Sequence, residues 1–208
     1  YKTIDNLLDY KEGSEIYLNE TVEADVIAGN GKAYGAEFLV NKTRGRFTGW
    51  IAYTYSRSLR QMNGEFPEEV INGGEYYPSN FDKPHDFSTY LNYKIQSNVA
   101  LSLNFVYSTG RPITIPTSKF SYENILSVIQ YSDRNQFRIP DYHRLDLSLT
   151  IENVRNRENY QGSFVFTIYN LYARRNAYSI VFDQSGFARR ISILGTIFPS
   201  VTYNFKFL

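Results

Sequence analysis

The sequence has no cysteine and only 2 histidines among its 208 residues. Without cysteine, the chain cannot carry out thiol catalysis, form disulfides or hold a cysteine-ligated zinc ion. So few histidines disfavour a metal centre, and we expect neither a metal nor a cofactor. An excess of one charge is also lacking, since 22 Lys and Arg stand against 21 Asp and Glu. This balance argues against nucleic-acid binding, which needs a basic stripe to replace phosphate counterions.

Long hydrophobic runs are absent as well, and no segment approaches the ~20 apolar residues of a membrane helix. Aromatic residues, by contrast, are abundant: 19 Tyr, 15 Phe and 1 Trp accompany a single Met. The segment 1–10 lacks the charged start, the apolar stretch and the cleavage site of a secretory signal. An exported protein needs such a signal, so we expect that it was removed or that the chain is a C-terminal portion.

Apolar and polar residues alternate with a period of two along much of the chain. The alternation is clearest in 47–59, 100–110, 142–151, 163–172 and 197–207, and it is weaker in 33–42 and 87–94. Successive side chains of a strand point to opposite sides, so each segment forms one apolar and one polar face. Helical periodicity is convincing nowhere. The pattern therefore predicts an all-β chain.

The connections between these segments alternate between short and long. The short ones are 41–45, 96–98 and roughly 152–161, and the long ones are roughly 9–25, 61–84, 112–140 and 173–190. Outer-membrane barrels have short periplasmic turns and long external loops. The pattern thus favours an antiparallel up-and-down transmembrane β-barrel. The alternative is an antiparallel β-sandwich with one wet face per sheet, which shows the same alternation.

Five residues of the polar face are candidates for substrate contact in a water-filled lumen: Trp50, Tyr90, Tyr142, Arg144 and Asp146. A charge facing lipid at mid-depth costs ~2–4 kcal/mol, which places Arg144 and Asp146 toward the lumen. These two charges are two residues apart on one face, and we favour an ion pair inside the wall over substrate contact. Trp50 and Tyr90 would stack on a sugar ring or contact a plug domain, a separate domain that fills the lumen of some large barrels.

Catalysis is not expected, because the histidines are poorly placed for it. His143 and Asp146 are separated by an odd number of residues, so they point to opposite faces of one strand. His85 and Asp86 fail the same test. The glutamates within 61–84 lie in a polar loop, where we expect them to be solvated rather than to form a glycosidase pair. We therefore predict that the protein is not an enzyme.

Four stretches carry a family resemblance: 31–38 with 48–58, then 77–86, then 134–146, and finally 169–172 with 175–178 and the closing 199–207. Together they resemble the C-terminal barrel region of TonB-dependent outer-membrane receptors of the Bacteroidota type, of the SusC-like or carboxypeptidase-regulatory-like-domain class. The resemblance spans nearly the whole chain, in the order of the family.

The resemblance implies a 22-stranded barrel with an N-terminal plug domain, which takes up a large nutrient such as a glycan, a peptide or a metal chelate. If each strand with its connection takes as many residues as in this chain, 22 strands need ~570 residues. We therefore expect residues 1–208 to be about eight C-terminal strands of such a barrel, without the plug domain. The implied location is the bacterial outer membrane, with long loops extracellular and the C-terminus periplasmic.

The implied partners are outer-membrane lipids, TonB through the plug region, the barrel assembly machinery and a SusD-like surface lipoprotein acting as a lid. In the family the terminal strand is the signal for barrel assembly, and the matching residues here are Val201, Tyr203, Phe205 and Phe207. Two alternatives stay open. One is a receptor-like barrel that serves as a scaffold in an outer-membrane complex, and the other is a soluble sandwich that binds carbohydrate.

Overall fold

The computed structural model describes residues 1–14, 20–122, 126–152, 160–182 and 187–207. The first eight strands are β1 (Lys2–Tyr10), β2 (Val26–Lys42), β3 (Phe47–Gln61), β4 (Tyr77–Pro78), β5 (His85–Gln96), β6 (Val99–Ser108), β7 (Pro112–Ile113) and β8 (Pro116–Tyr122). The others are β9 (Leu126–Tyr131), β10 (Phe137–Arg138), β11 (Tyr142–Ile151), β12 (Tyr160–Tyr169), β13 (Ser179–Phe182), β14 (Ala188–Ile191) and β15 (Phe198–Phe207). Short 3-10 helices occupy Val22–Asp25, Pro67–Glu69 and Asn72–Gly74. None of the helices in the described residues is long and apolar enough to span a membrane.

Eight strands form one antiparallel sheet in the order β1-β2-β3-β5-β6-β11-β12-β15, so each pairs with the next long strand along the chain. The two-residue strand β4 pairs with the end of β3, and the ladders β7/β10, β8/β9 and β13/β14 lie within the long connections. This confirms the prediction of an all-β, antiparallel fold. Among the described residues no ladder joins β1 to β15, so the sheet is open at these two edges. Barrel closure thus stays a prediction.

The long and short connections alternate as the sequence predicts. The short ones are 43–46, 97–98 and 152–159, and the long ones are 11–25, 62–84, 109–141 and 170–197. The predicted strand end at residue 172 is wrong, because β12 ends at Tyr169. Asn170 follows with a φ of 55°. This left-handed backbone is tolerated by asparagine and breaks the extended strand.

The ladder registers align the apolar faces of neighbouring strands. One row across the sheet contains Gly49, Leu91, Leu103, Leu147 and Ile168 as successive partners. Elsewhere on the same face, Val40 and Val201 are 68% and 63% exposed. Hydrophobic side chains on this face are therefore left uncovered by the described part of the chain. The other described sheets are two-stranded, so no second layer of a sandwich is seen there.

The buried hydrophobic cluster lies at the base of the 62–84 connection rather than between two sheets. It contains Ile27, Met62, Ile71 and Tyr77, with Leu7 packed against it. Tyr77 is the register partner of Arg60 on β3. The cluster therefore fixes this long connection to the ends of the first three strands.

Candidate functional site

Asp146 is the centre of a hydrogen-bonded network on the polar face. Arg144 Nε lies 2.9 and 3.0 Å from its two carboxylate oxygens. Asn104 Nδ2 on the neighbouring strand donates at 3.2 Å, and the backbone N–H of Asn170 donates at 2.9 Å. The predicted ion pair between Arg144 and Asp146 is confirmed. With three donor groups around it and only 8% exposure, the Asp146 carboxylate is fully engaged by the protein.

Arg144 is engaged on its other side by two tyrosines. Its Nη1 donates to the hydroxyl oxygen of Tyr142 at 2.8 Å and to that of Tyr169 at 2.7 Å. The guanidinium carbon lies 4.1 Å from the centroid of the Tyr169 ring, within the range of a cation–π contact. Sequence reasoning did not single out Tyr169. The alternation in 163–172 places it on the polar face with Ser163 and Thr167, and this was the available signal.

Trp50 and Tyr90 are direct register partners on β3 and β5. Tyr90 pairs with Asn104, and Asn104 pairs with Asp146, so the register runs from Trp50 to Asp146 in one row across four strands. The Tyr90 hydroxyl donates to Ser102 Oγ at 3.1 Å. The five predicted substrate-contact residues thus share one face of the sheet. Substrate contact itself stays a prediction.

A cavity of about 520 Å³ lies at the long-loop end of this network. Its wall includes Lys83, Ser108, Thr109, Gly110, Arg111, Ile139, Pro140, Tyr142, Tyr169, Asn176, Ala177, Tyr178, Ile193 and Leu194. The cavity is therefore built from the ends of β6, β11 and β12 together with three of the long connections. Tyr142 and Tyr169 link it directly to Arg144.

Asp141 holds one side of the cavity in place. Its carboxylate accepts from the Tyr107 hydroxyl at 2.6 Å and from the Gly110 N–H at 2.9 Å. The Tyr107 hydrogen bond and the Gly110 N–H lower the pKa of Asp141. Gly110 must be glycine here, because a Cβ at this position would collide with the carbonyl oxygen of Ile139. The backbone that carries Arg111 is therefore held in a defined place.

Asn176 holds the opposite side. Its Oδ1 accepts from the His143 N–H at 3.1 Å, and its Nδ2 donates to the His143 carbonyl oxygen at 2.9 Å. This pair of bonds continues the edge of β11 with a side-chain amide, which ties the 170–197 connection to the sheet. Both the oxygen and the nitrogen of the Asn176 side-chain amide are thus hydrogen-bonded within the protein.

Two further carboxylates anchor the long connections, and sequence reasoning missed both. Asp82 binds Arg57 at 3.2 Å, accepts the Ser58 N–H at 2.7 Å and forms an ion pair with Arg138. Arg138 lies on β10, within the 109–141 connection. Its partner lies 56 residues away along the chain, a distance over which no local pattern carries a signal.

The second of these carboxylates is Asp9, at the end of β1. It lies 3.1 Å from Arg60 and 3.3 Å from Arg134, and it accepts from the Tyr77 hydroxyl at 3.2 Å. Burial, followed by the nearby Asp9 charge, raises the pKa of Tyr77 to about 12. Three separate segments thus meet at this one carboxylate.

Both histidines contact tyrosines. His85 Nδ1 lies 2.8 Å from the Tyr53 hydroxyl, and His143 Nδ1 lies 2.7 Å from the Tyr172 hydroxyl. Asp146, the carboxylate considered as a partner for His143, instead binds Arg144. Within the described part of the chain, no group of three His, Asp or Glu residues is arranged to hold a metal ion.

The predicted assembly residues follow one another on β15. Val201, Tyr203 and Phe205 pair with Phe166, Phe164 and Gly162 of β12. Phe207 pairs with the first residue of β12, and the four are 63, 39, 61 and 73% exposed in the order of the chain. They form an aromatic, uncovered stripe at one edge of the sheet. Leu208 lies outside the described residues, and the role in assembly stays a prediction.

The polar face of the sheet thus combines charged groups that are held by hydrogen bonds with tyrosine and tryptophan side chains. Two of these tyrosines, Tyr142 and Tyr169, line the cavity. Comparison with protein-family models, with curated proteins and with solved structures finds no match to this chain.

Proposed function

We propose that the chain is the C-terminal part of the wall of a TonB-dependent outer-membrane transport receptor. Its long connections would be extracellular loops and its short ones periplasmic turns. The main observation behind this proposal is that one face of the sheet is apolar and uncovered, while the opposite face has a hydrogen-bonded ionic network. Because of the hydrophobic effect, an apolar face is more stable when it is removed from water. A lipid bilayer can cover it without a second protein layer.

Strand length and charge placement support this proposal. The strands β6, β11, β12 and β15 each have 10 residues. A tilted membrane strand needs about 9–11 residues. On the apolar face of β6, from Val99 to Tyr107, there is no charged side chain. Each charge placed there would cost ~2–4 kcal/mol in lipid.

The open edges also support a larger barrel. In a bilayer, unpaired backbone groups along β1 and β15 would each cost several kcal/mol. A receptor of the resembled family closes its barrel with further strands, which would pair with both edges. The partners that the resemblance implies are proposed with it: outer-membrane lipids, the barrel assembly machinery, TonB through a plug region and a surface lipoprotein lid.

The absence of cysteine allows a sharp test of this topology. Single cysteines are introduced as Glu68→Cys in the 62–84 connection and Arg44→Cys in the 43–46 turn. Both positions are exposed. They are introduced into the native polypeptide that carries this chain, with any other cysteines replaced. A membrane-impermeant maleimide should label position 68 on intact cells and position 44 only after the outer membrane is permeabilised.

Labelling of position 44 on intact cells would contradict the orientation, and recovery of the polypeptide in the soluble fraction would contradict the membrane location. The transport role is tested by the mass of the native polypeptide and by its tryptic peptides upstream of Tyr1. A plug and a TonB box there would support import. A membrane barrel without them would favour the scaffold role instead.

A further inference from the structure

The cavity at the long-loop end has an unbalanced charge. Among its 14 lining residues, Lys83 and Arg111 are cationic and none is acidic. Among the described residues, neither forms an ion pair. Within the part of the chain that the structure describes, the Arg111 side chain makes one long contact, of 3.5 Å, to Ser179 Oγ. Two positive charges therefore line the cavity, and no carboxylate of the described residues forms an ion pair with either of them.

The nearby carboxylates Asp141 and Asp146 do not line the cavity. Asp141 is held by Tyr107 and Gly110, and Asp146 is held by Arg144 and two asparagines. A carboxylate bound by several donors at 2.6–3.2 Å is stabilised in place. The charged side chains that line the cavity itself are thus both cationic.

The two tyrosines at the cavity add a further donor. Tyr142 and Tyr169 each accept a hydrogen bond from Arg144 and keep their own hydroxyl hydrogens. Even if one hydroxyl donates to the other, at least one O–H is left to donate to a ligand. The polar groups of the wall therefore favour a ligand that accepts hydrogen bonds.

The remainder of the wall is largely apolar. Ile139, Ala177, Ile193 and Leu194 contribute aliphatic side chains, and Pro140 adds a rigid ring. A volume of about 520 Å³ lies within the range of small-molecule sites, roughly 300–1,000 Å³. A ligand that fits has an apolar body as well as an anionic group.

We propose that this cavity binds a carboxylic acid with a compact apolar body. Arg111 and Lys83 attract the carboxylate, a tyrosine hydroxyl donates to it, and the aliphatic wall packs against the body. The role of the cavity as the entry site of a transported substrate rests on the proposed function. Its ability to bind a carboxylic acid depends only on the residues that line it.

The test compares two probes of nearly the same shape, 3-phenylpropionate and the neutral 3-phenylpropanamide. Binding is measured by calorimetry on the native polypeptide reconstituted in lipid nanodiscs, at low and at high salt. The carboxylate should bind more tightly than the amide, and salt should reduce the difference. Arg111→Gln should weaken carboxylate binding by about tenfold or more, since a charge-assisted hydrogen bond is lost. Lys83→Gln should weaken it as well.

Lys94→Gln is the matched control, because it removes the same charge from β5 outside the cavity. It should leave carboxylate binding unchanged. Equal binding of both probes, or an Arg111→Gln variant that keeps the preference for the carboxylate, would overturn the proposal. Absence of binding in a polypeptide that passes the cysteine-labelling test would overturn the cavity proposal alone. Carboxylate-selective binding in a polypeptide that fails that test would overturn transport alone.

Discussion

The buried carboxylate of Asp82 should hold the 62–84 connection onto β3, and Asp82→Asn tests this directly. The side chain is 0% exposed, and the two arginines that it contacts are 28% and 27% exposed. Asn keeps the shape of Asp, so the packing is preserved. It loses the charge that binds both arginines, and it presents an N–H₂ group to at least one donor that needs an acceptor.

The expected cost follows from the burial of the pair. Removing one partner of a buried ion pair costs about 3–5 kcal/mol. Because solvent reaches about a quarter of each arginine, we expect the lower end, about 3 kcal/mol. Since every 1.4 kcal/mol corresponds to tenfold, the opening equilibrium of this connection should rise by roughly 100-fold.

Hydrogen exchange measures this opening at individual amides. In the wild type the Ser58 N–H donates to Asp82 at 2.7 Å, and the Asp82 N–H donates to Ser79 at 3.0 Å. Both amides should exchange roughly 100-fold faster in Asp82→Asn. Asp86→Asn is the control, because it removes the same charge from an exposed residue nearby. If Asp82→Asn exchanged like this control, the reasoning from the buried pair would be refuted.

Two further predictions concern substitutions on β15 and at the Tyr107–Asp141 hydrogen bond. Val201→Arg should lower the free energy of unfolding in lipid vesicles, measured by urea titration, by about 2–4 kcal/mol. Thr202→Arg, on the opposite face of β15, should have little effect. Equal effects of the two substitutions would contradict a lipid-facing stripe. The lowered pKa of Asp141 means that its stabilising contribution is present above the ordinary carboxylate pKa, about 4, and is lost as the pH falls through the lowered value. Tyr107→Phe should therefore destabilise the protein at pH 7 by more than it does in acid, and a pH-independent difference in unfolding free energy would contradict this.

The strands and their faces are predictable from the sequence because both depend on local patterns. A period of two fixes which side chains share a face, and it places Trp50 and Tyr90 on the polar side. It does not tell which residues are opposite each other. The register that joins Trp50 through Tyr90 and Asn104 to Asp146 is fixed by the ladders between neighbouring strands.

The anchors of the long connections are not predictable in this way. Asp82 contacts Arg138, and Asn135 donates to the carbonyl oxygen of Pro78, across 56 and 57 residues of sequence. These segments are irregular, so no periodicity indicates which polar groups are buried. The cavity depends on the same long-range contacts, and the sequence therefore identified Tyr142 at its edge but not Arg111 or Lys83.

The distribution of charge distinguishes the strands of the sheet from the proposed binding cavity. Along the strands, Arg144 forms an ion pair with Asp146, so the two opposite charges cancel each other. At the long-loop end, Arg111 and Lys83 have no such partner among the described residues. Their attraction for an anion is therefore concentrated at the cavity. Because a Debye length is about 8 Å at physiological ionic strength, this attraction acts mainly on ligands that have already entered it.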